Sequence, residues 1–236
     1  MKVVIFHDWL NGMRGGEKCL EAMLEIFPEA EVYTLLLDRD KLSPAIASKK
    51  IHVHPWLGSK YLRNHYRNLL PLFPLLLRNW PVFEQKPDLI LSSSHCAAKA
   101  FNMRGQQGIP HLCYCYTPMR YIWDMGEHYF GGGGGSLFKR LALGIFGPAL
   151  RAWDLRSCRG VDRFIAISGF IQERIRRCYG LDSGRVYPFA DLDFYTPNPL
   201  VPRGDFYLIV SALVPYKRLE NLARSVTGGT VAGKSS

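Results

Sequence analysis

The chain has 236 residues, enough for one large domain or one and a half. Its hydrophobic fraction of 47% and charged fraction of 21% are ordinary globular values and exclude a disordered protein. Thirty Lys and Arg against 20 Asp and Glu leave a net charge of +10, and the excess is uneven: from Lys41 to Phe83 there is no acidic residue at all.

Met1-Lys-Val-Val-Ile-Phe runs straight to His7-Asp8 with no visible signal peptide, and Val3–Phe6 is the short continuous apolar run of a strand buried on both faces. His7 and Asp8, at its end, are candidates to line a cleft. A glycine-bearing loop, Asn11–Gly16, leads into a helix on which Leu20, Met23, Leu24 and Phe27 recur at helical spacing until Pro28. In Arg14-Gly-Gly-Glu-Lys18 the unpaired N–H groups of a helix N-terminus and its dipole favour an anion, and Gly15 and Gly16 let the backbone approach it. Glu17 suits the dipole but would repel a phosphate placed too close.

The β-loop-α theme repeats. Glu31–Leu37, Pro87–Ser92, Pro110–Tyr116 and Asp162–Ile167 read as further strands. Ser92–Ser94 are placed to cap a helix from His95, and Ser168 to cap one with Ile171 and Ile175 inward. Strands alternating with helices predict an α/β fold, a Rossmann-like parallel sheet covered by helices on both faces. The six cysteines include no C-x-x-C pair; Cys113 and Cys115 alternate toward one face of a strand, and all six are expected to be buried free thiols in a reducing cytosol. No metal-ligand cluster is visible. The apolar runs Leu69–Leu77 and Leu141–Leu150 fall short of the roughly 20 residues of a spanning helix, so a soluble or peripheral protein is expected. Phe130–Ser136, with five glycines, is either a lid or a slack surface excursion. Asp191–Arg203, with three prolines, reads as a linker, and Phe206–Ser211 as a buried strand opening a second α/β unit, with Lys217 and Arg218 in the turn after it.

In the acid-free stretch, Lys60, Arg63, Arg67 and Arg78 interleave with Trp56, Tyr61, Tyr66, Phe73 and Trp80 beside Leu69–Leu77. This composition suits an anionic membrane surface, at roughly 1 kcal/mol per cation near the surface; alternatively, Leu69–Leu77 packs inside the domain and the cations are merely solvated. No nucleic-acid module is visible, so nucleic acid is not an expected partner. Gly228–Ser235 fits G-x-x-x-x-G-K-[ST], but that motif needs a strand before it and a helix after it. Here a helical stretch precedes and one residue follows, so the P-loop nucleotide binder is only a remote alternative.

Arg14-Gly-Gly-Glu17 resembles the G-G-x-E-type loop of family 4 retaining glycosyltransferases of the GT-B fold. Asp88–His95, Cys113–Tyr121 with Trp123-Asp124, Val161–Ala166, Arg185–Pro188 with Asp191, and Val210–Arg218 resemble, in order, a bacterial mannosyltransferase-like branch of that family. The resemblance implies two Rossmann-like domains: residues 1–200 as the acceptor-side domain and 201–236 as the truncated start of the nucleotide-sugar domain. It implies transfer of a sugar, with GDP-mannose as the donor candidate, to a saccharide or lipid-linked acceptor with retention and without a metal or other cofactor. It assigns Gly15, Gly16, Lys217 and Arg218 to the donor diphosphate, and makes His7, Asp8, His95, Thr117, Arg120 and Asp124 cleft or acceptor candidates. A cytoplasmic protein, peripheral at the inner face of the membrane where the acceptor is lipid-linked, is the matching location.

Three departures stand out. Ala212 occupies a position where many members carry Arg, Tyr116 and Thr117 stand where a His often follows the fourth strand, and the Glu-x7-Glu segment is missing. The expectation is therefore a chain that does not turn over by itself, with a non-catalytic membrane-associating or acceptor-binding module as the alternative.

Overall fold

The computed structural model describes residues 1–57, 66–101, 103, 107–123, 137–202, 204–206, 208–211, 219 and 221, without the side chains of 66–68 and 137–145. The chain divides into two compact units, Met1–Phe189 and Ala190–Ser236.

The first unit is built on a parallel sheet of β1 (Val3–His7), β2 (Glu31–Thr34), β3 (Ile51–Val53), β4 (Leu89–Ser94), β5 (His111–Cys115), β6 (Arg163–Ala166) and β7 (Ser183–Arg185), in the order β3-β2-β1-β4-β5-β6-β7. The α-helices among the described residues are α1 (Gly15–Ile26), α2 (Pro44–Ala47), α3 (Phe73–Leu76), α4 (Arg120–Trp123), α5 (Leu137–Ser157) and α6 (Gly169–Tyr179). The Rossmann-like α/β class expected from the sequence is the class observed.

All five residues of β1 are buried, and the two-residue period of a strand divides them between two cores. Val4 and Phe6 pack with Tyr33, Ile90, Phe101 and Trp153. Val3 and Ile5 face the other way, against Leu20 and Leu24 of α1. Each of those leucines, fully removed from water, contributes about 1.5–3 kcal/mol. Cys113 and Cys115 of β5 do share a face, packed against Phe164, Ile171 and Ile175. All six cysteines are free and buried.

Helix α6 starts where the sequence indicated: the Ser168 hydroxyl accepts from the Ile171 amide at 3.3 Å. It ends at Gly180, whose φ of +67° gives the left-handed turn that returns its amide to the Arg176 carbonyl. No α-helix begins at His95, contrary to the reading of Ser92–Ser94 as a cap. The serines complete β4 instead, and a tight turn leads to a 3-10 helix at Ala98–Ala100. The reason is Asp8, which holds that turn from across the sheet.

The Leu69–Leu77 run splits between the two readings. Leu70, Phe73 and Leu77 are buried in the core, while Leu72 and Leu75 face solvent. In the second unit, Asp191 organises a turn by accepting from Phe194 and Tyr195. The expected strand at Phe206–Ser211 is not one among the described residues, and Phe206, Leu208 and Val210 are exposed. A strand needs a neighbour to take its N–H and C=O groups, and no β-strand is present among the described residues of this unit.

Candidate functional site

In an open parallel sheet, ligands bind outside the carboxyl ends of the strands where the strand order reverses, because the loops leaving there part in opposite directions. Here that point lies between β1 and β4. His7 is the last residue of β1 and pairs in register with Ser93 of β4; Ser93 in turn pairs with Tyr114 of β5.

This register brings three polar side chains and a backbone carbonyl into line. His7 Nδ1 lies 2.9 Å from Ser93 Oγ, Ser93 Oγ lies 2.9 Å from the Tyr116 hydroxyl, and that hydroxyl donates to the Gly16 carbonyl at 3.0 Å. A carbonyl can only accept, so it fixes the polarity of the whole chain: His7 Nδ1–H donates to Ser93, Ser93 donates to Tyr116, and Tyr116 donates to Gly16. The first turn of α1 is thereby tied to the ends of three strands.

Glu17 reaches back to cap the helix mouth. One of its carboxylate oxygens accepts the Arg14 amide at 3.0 Å, and the other lies 3.9 Å from His7 Nε2. Burial alone would raise its carboxyl, but the neighbouring His7 imidazole and the local backbone amides hold it below the usual carboxylate range. The carboxylate therefore stays at the helix N-terminus, and the repulsion anticipated for a phosphate placed too close to it stands. The N–H groups of Gly15 and Gly16, in the first turn, have no intrahelical acceptor. A Cβ on Gly16 would lie 3.7 Å from His7 Cε1 and 3.7 Å from Tyr116 Cζ, whereas one on Gly15 would meet nothing within 4 Å. The helix mouth is open at Gly15 and walled at Gly16.

Asp8 does not line a cleft. It is fully buried, and its two oxygens accept the backbone N–H groups of His95, Cys96, Ala97 and Ala98 at 2.5–3.0 Å. The reading of Asp8 as a cleft residue is corrected: it holds the turn after β4, with charge-assisted bonds in place of a helix cap. His95 remains at the site, its Nδ1 3.1 Å from Asp8 and its side chain 27% exposed. Its ring stands edge-on to Trp9 at 4.5 Å and to Tyr116 at 6.4 Å.

Thr117 is buried and donates to the Pro118 carbonyl at 3.0 Å, while Arg120 opens α4 and is close enough to His95 to act on its charge. Asp124, Lys60, Arg63, Lys217 and Arg218 lie outside the described residues, as do Ala212, the Phe130–Ser136 loop and the Gly228–Ser235 pattern; Arg67 has no described side chain. Arg78 is exposed, far along the sequence from these loops. Ser93 is a site residue that the sequence did not single out; its only signal was the row of hydroxyls at the carboxyl end of an apolar strand.

Among the described residues no group of three or more His, Cys, Asp and Glu is arranged to hold a metal ion, and no helix is long and apolar enough to cross a membrane. A cavity of about 740 Å³, lined in part by Gly108, Pro110, Arg156, Arg159 and Asp162, opens at the amino ends of β5 and β6, the edge opposite the His7–Tyr116 cluster.

Comparison with known proteins bears on this arrangement. The model of the family described as Glycosyltransferase Family 4 matches residues 14–193, a span that begins at the helix mouth and covers most of the chain. No curated protein matches the chain. Among solved structures, the apo form of a lipopolysaccharide outer core galactosyltransferase, WaaB, is similar at 14% identity and a TM-score of 0.44. The alignment covers 79% of this chain and 45% of that one, so the chain spans less than half the length of that structure.

Proposed function

The chain belongs to glycosyltransferase family 4, and from that premise we propose that its crevice between β1 and β4 serves the transfer of a sugar from a nucleotide sugar to a saccharide or lipid-linked acceptor, with retention. GDP-mannose is the donor proposed, and the first unit is the acceptor-side domain. The observation that carries this reading is the mouth of α1. Two glycines present N–H groups without an intrahelical acceptor at the switch point of the sheet, in a turn fixed by Tyr116, with Glu17 engaged by the Arg14 amide. A departing nucleoside diphosphate builds negative charge, and backbone donors fixed beforehand stabilise that charge without reorganising.

A charge placed at the open position tests this. Glu at the first helical position suits the dipole and fits sterically, so Gly15→Glu should melt at or above the wild-type temperature. It should nevertheless bind GDP at least tenfold more weakly than Gly15→Gln, its uncharged isostere, a difference of about 1.4 kcal/mol. Equal GDP affinity in the two variants, measured by calorimetric titration, would overturn the reading.

A second property has its own support. Trp56 is 72% and Val82 79% exposed, with Leu72, Leu75 and Arg78 also facing solvent within or beside the acid-free stretch. We propose that this stretch rests on an anionic membrane surface, as a lipid-linked acceptor would require. The protein should sediment with phosphatidylglycerol vesicles at low salt, and Trp56→Glu combined with Leu75→Glu should leave it in the supernatant. Equal sedimentation of that variant would rule the surface out.

A further inference from the structure

Asp8 and His95 form a pair with one end used and one end unused. The Asp8 oxygens already accept four backbone N–H groups, so toward His95 the carboxylate can only accept again. A lone pair on Nδ1 would face that carboxylate at 3.1 Å, so a neutral His95 carries its hydrogen on Nδ1 and its lone pair on Nε2. No described residue hydrogen-bonds Nε2, although the ring is fixed by Asp8 on one side and by Trp9 and Tyr116 edge-on. A rigid ring with one committed nitrogen and one uncommitted acceptor, beside the mouth of α1, is built to receive a hydrogen.

We propose that His95 Nε2 accepts a hydrogen bond from a hydroxyl of the sugar that enters this crevice, with Asp8 as the positioning residue that fixes the tautomer. The inference rests on the nucleotide-sugar reading above. Its chemistry is that of a sugar hydroxyl, whether on the donor or on the acceptor.

The groups facing His95 set its response to pH. Burial lowers its basicity most; Asp8 opposes that, His7 adds to it, Glu17 opposes it, and Arg120 adds to it, leaving His95 below the ordinary histidine value. The imidazole is therefore neutral near pH 7, and acidification turns Nε2 from acceptor into donor. A hydroxyl can still turn its oxygen toward that donor, but a hydroxyl whose oxygen is already committed elsewhere cannot.

Two near-isosteric variants separate the ends of the ring. His95→Gln can place an amide oxygen near the position of Nε2, whereas His95→Asn keeps a donor for Asp8 and offers nothing outward. Each protein is titrated with GDP, GDP-mannose, UDP and UDP-galactose, and observed by saturation-transfer NMR with methyl α-mannoside and methyl α-galactoside, at about pH 7.5 and about pH 5.5. The expected result is that His95→Asn loses about tenfold of the affinity that the sugar adds, while His95→Gln keeps most of it. Where acidification protonates the ring, the sugar's contribution should fall in the wild type and stay level in His95→Gln. A loss confined to the sugar nucleotides assigns the contact to the donor, and one confined to the methyl glycosides assigns it to the acceptor.

Nucleoside-diphosphate binding with an unchanged sugar contribution in His95→Asn overturns the role of His95 and leaves the nucleotide site standing. A wild-type protein that binds neither nucleoside diphosphate overturns the nucleotide site; if it also binds none of the sugars, both fall. Should His95→Asn fail to fold, pH dependence that persists in His95→Gln is the overturning result.

Discussion

Two of the buried polar networks among the described residues of the first unit differ in how fully their bonding capacity is used. The first is closed. Lys99, from the 3-10 turn after β4, donates to the Asp154 carboxylate and to Ser157 Oγ; Asp154 also accepts the Trp123 indole at 2.7 Å; and Ser157 returns its hydrogen to the Asp154 carbonyl at 2.6 Å. Lys99 also lies 5.3 Å from the centre of the Tyr179 ring. Burial opposes the charge on Lys99, but Asp154 more than offsets it, so the amine is held above its ordinary value. The second network, His7–Ser93–Tyr116–Gly16 with Asp8–His95 beside it, ends in helix amides without an intrahelical acceptor and in a His95 nitrogen that no described residue bonds. Networks that use every donor hold a scaffold together, and those that stop short are where a ligand completes the count.

The closed network should show its nature in stability alone. Lys99→Met strands a buried carboxylate and should cost about 3–5 kcal/mol in urea unfolding, whereas Lys99→Met with Asp154→Leu should recover most of that loss. GDP affinity of the folded protein should not move in either variant, and a change of tenfold would break the distinction between the networks.

His111 is a second closed group, and it gives the next largest effect. Its Nδ1–H donates to the Gly160 carbonyl at 2.9 Å, so its Nε2 accepts from Ser92 at 2.8 Å. Burial pushes it down to about 4, from an ordinary value of 6.5. A depressed histidine favours the fold while it is neutral. Its contribution is complete above pH 6.5 and is lost as the pH falls toward 4, by about 3 kcal/mol in all. His111→Gln should flatten that part of the pH–stability curve; an unchanged slope would show that other groups carry it.

How far these networks could be read from the sequence follows from how local they are. Strands β1, β4, β5 and β6, helix α1, and Ser168 with α6 were legible because periodicity and caps act within a few residues. The short edge strands Ile51–Val53 and Ser183–Arg185 were not: Ser-Gly-Arg has no apolar signal and is a strand only because it pairs with β6. The helix expected at His95 failed for a similar reason, since the acceptor for that turn is Asp8, 87 residues earlier in the chain. Gly15 and Gly16 were visible in their loop. The bond from His7 to Ser93 depends on the register of two strands that no local pattern reports.

In the open network a lost link should cost less, because water can reach it. Tyr116→Phe removes the hydroxyl from both Ser93 and Gly16, yet Tyr116 is only partly buried, and about 1 kcal/mol of stability is expected to go. A loss as large as that of Lys99→Met would mean that this network, too, is scaffold.

The smallest stability effect should accompany a large effect on binding. Gly15 has an ordinary helical backbone, since its φ is not among the positive ones, and a methyl group there touches no protein atom within 4 Å. Gly15→Ala should therefore leave stability unchanged or raise it by about 0.4–1 kcal/mol, because alanine restricts the unfolded chain. If the mouth of α1 receives a diphosphate, the same methyl occupies the space the ligand needs, and GDP affinity should drop roughly tenfold. A residue whose side chain is absent for the ligand's sake, not the fold's, must behave this way. Gly15→Ala binding GDP as tightly as the wild type would mean that the open position is merely surface, and the contrast between the two networks would then rest on His95 alone.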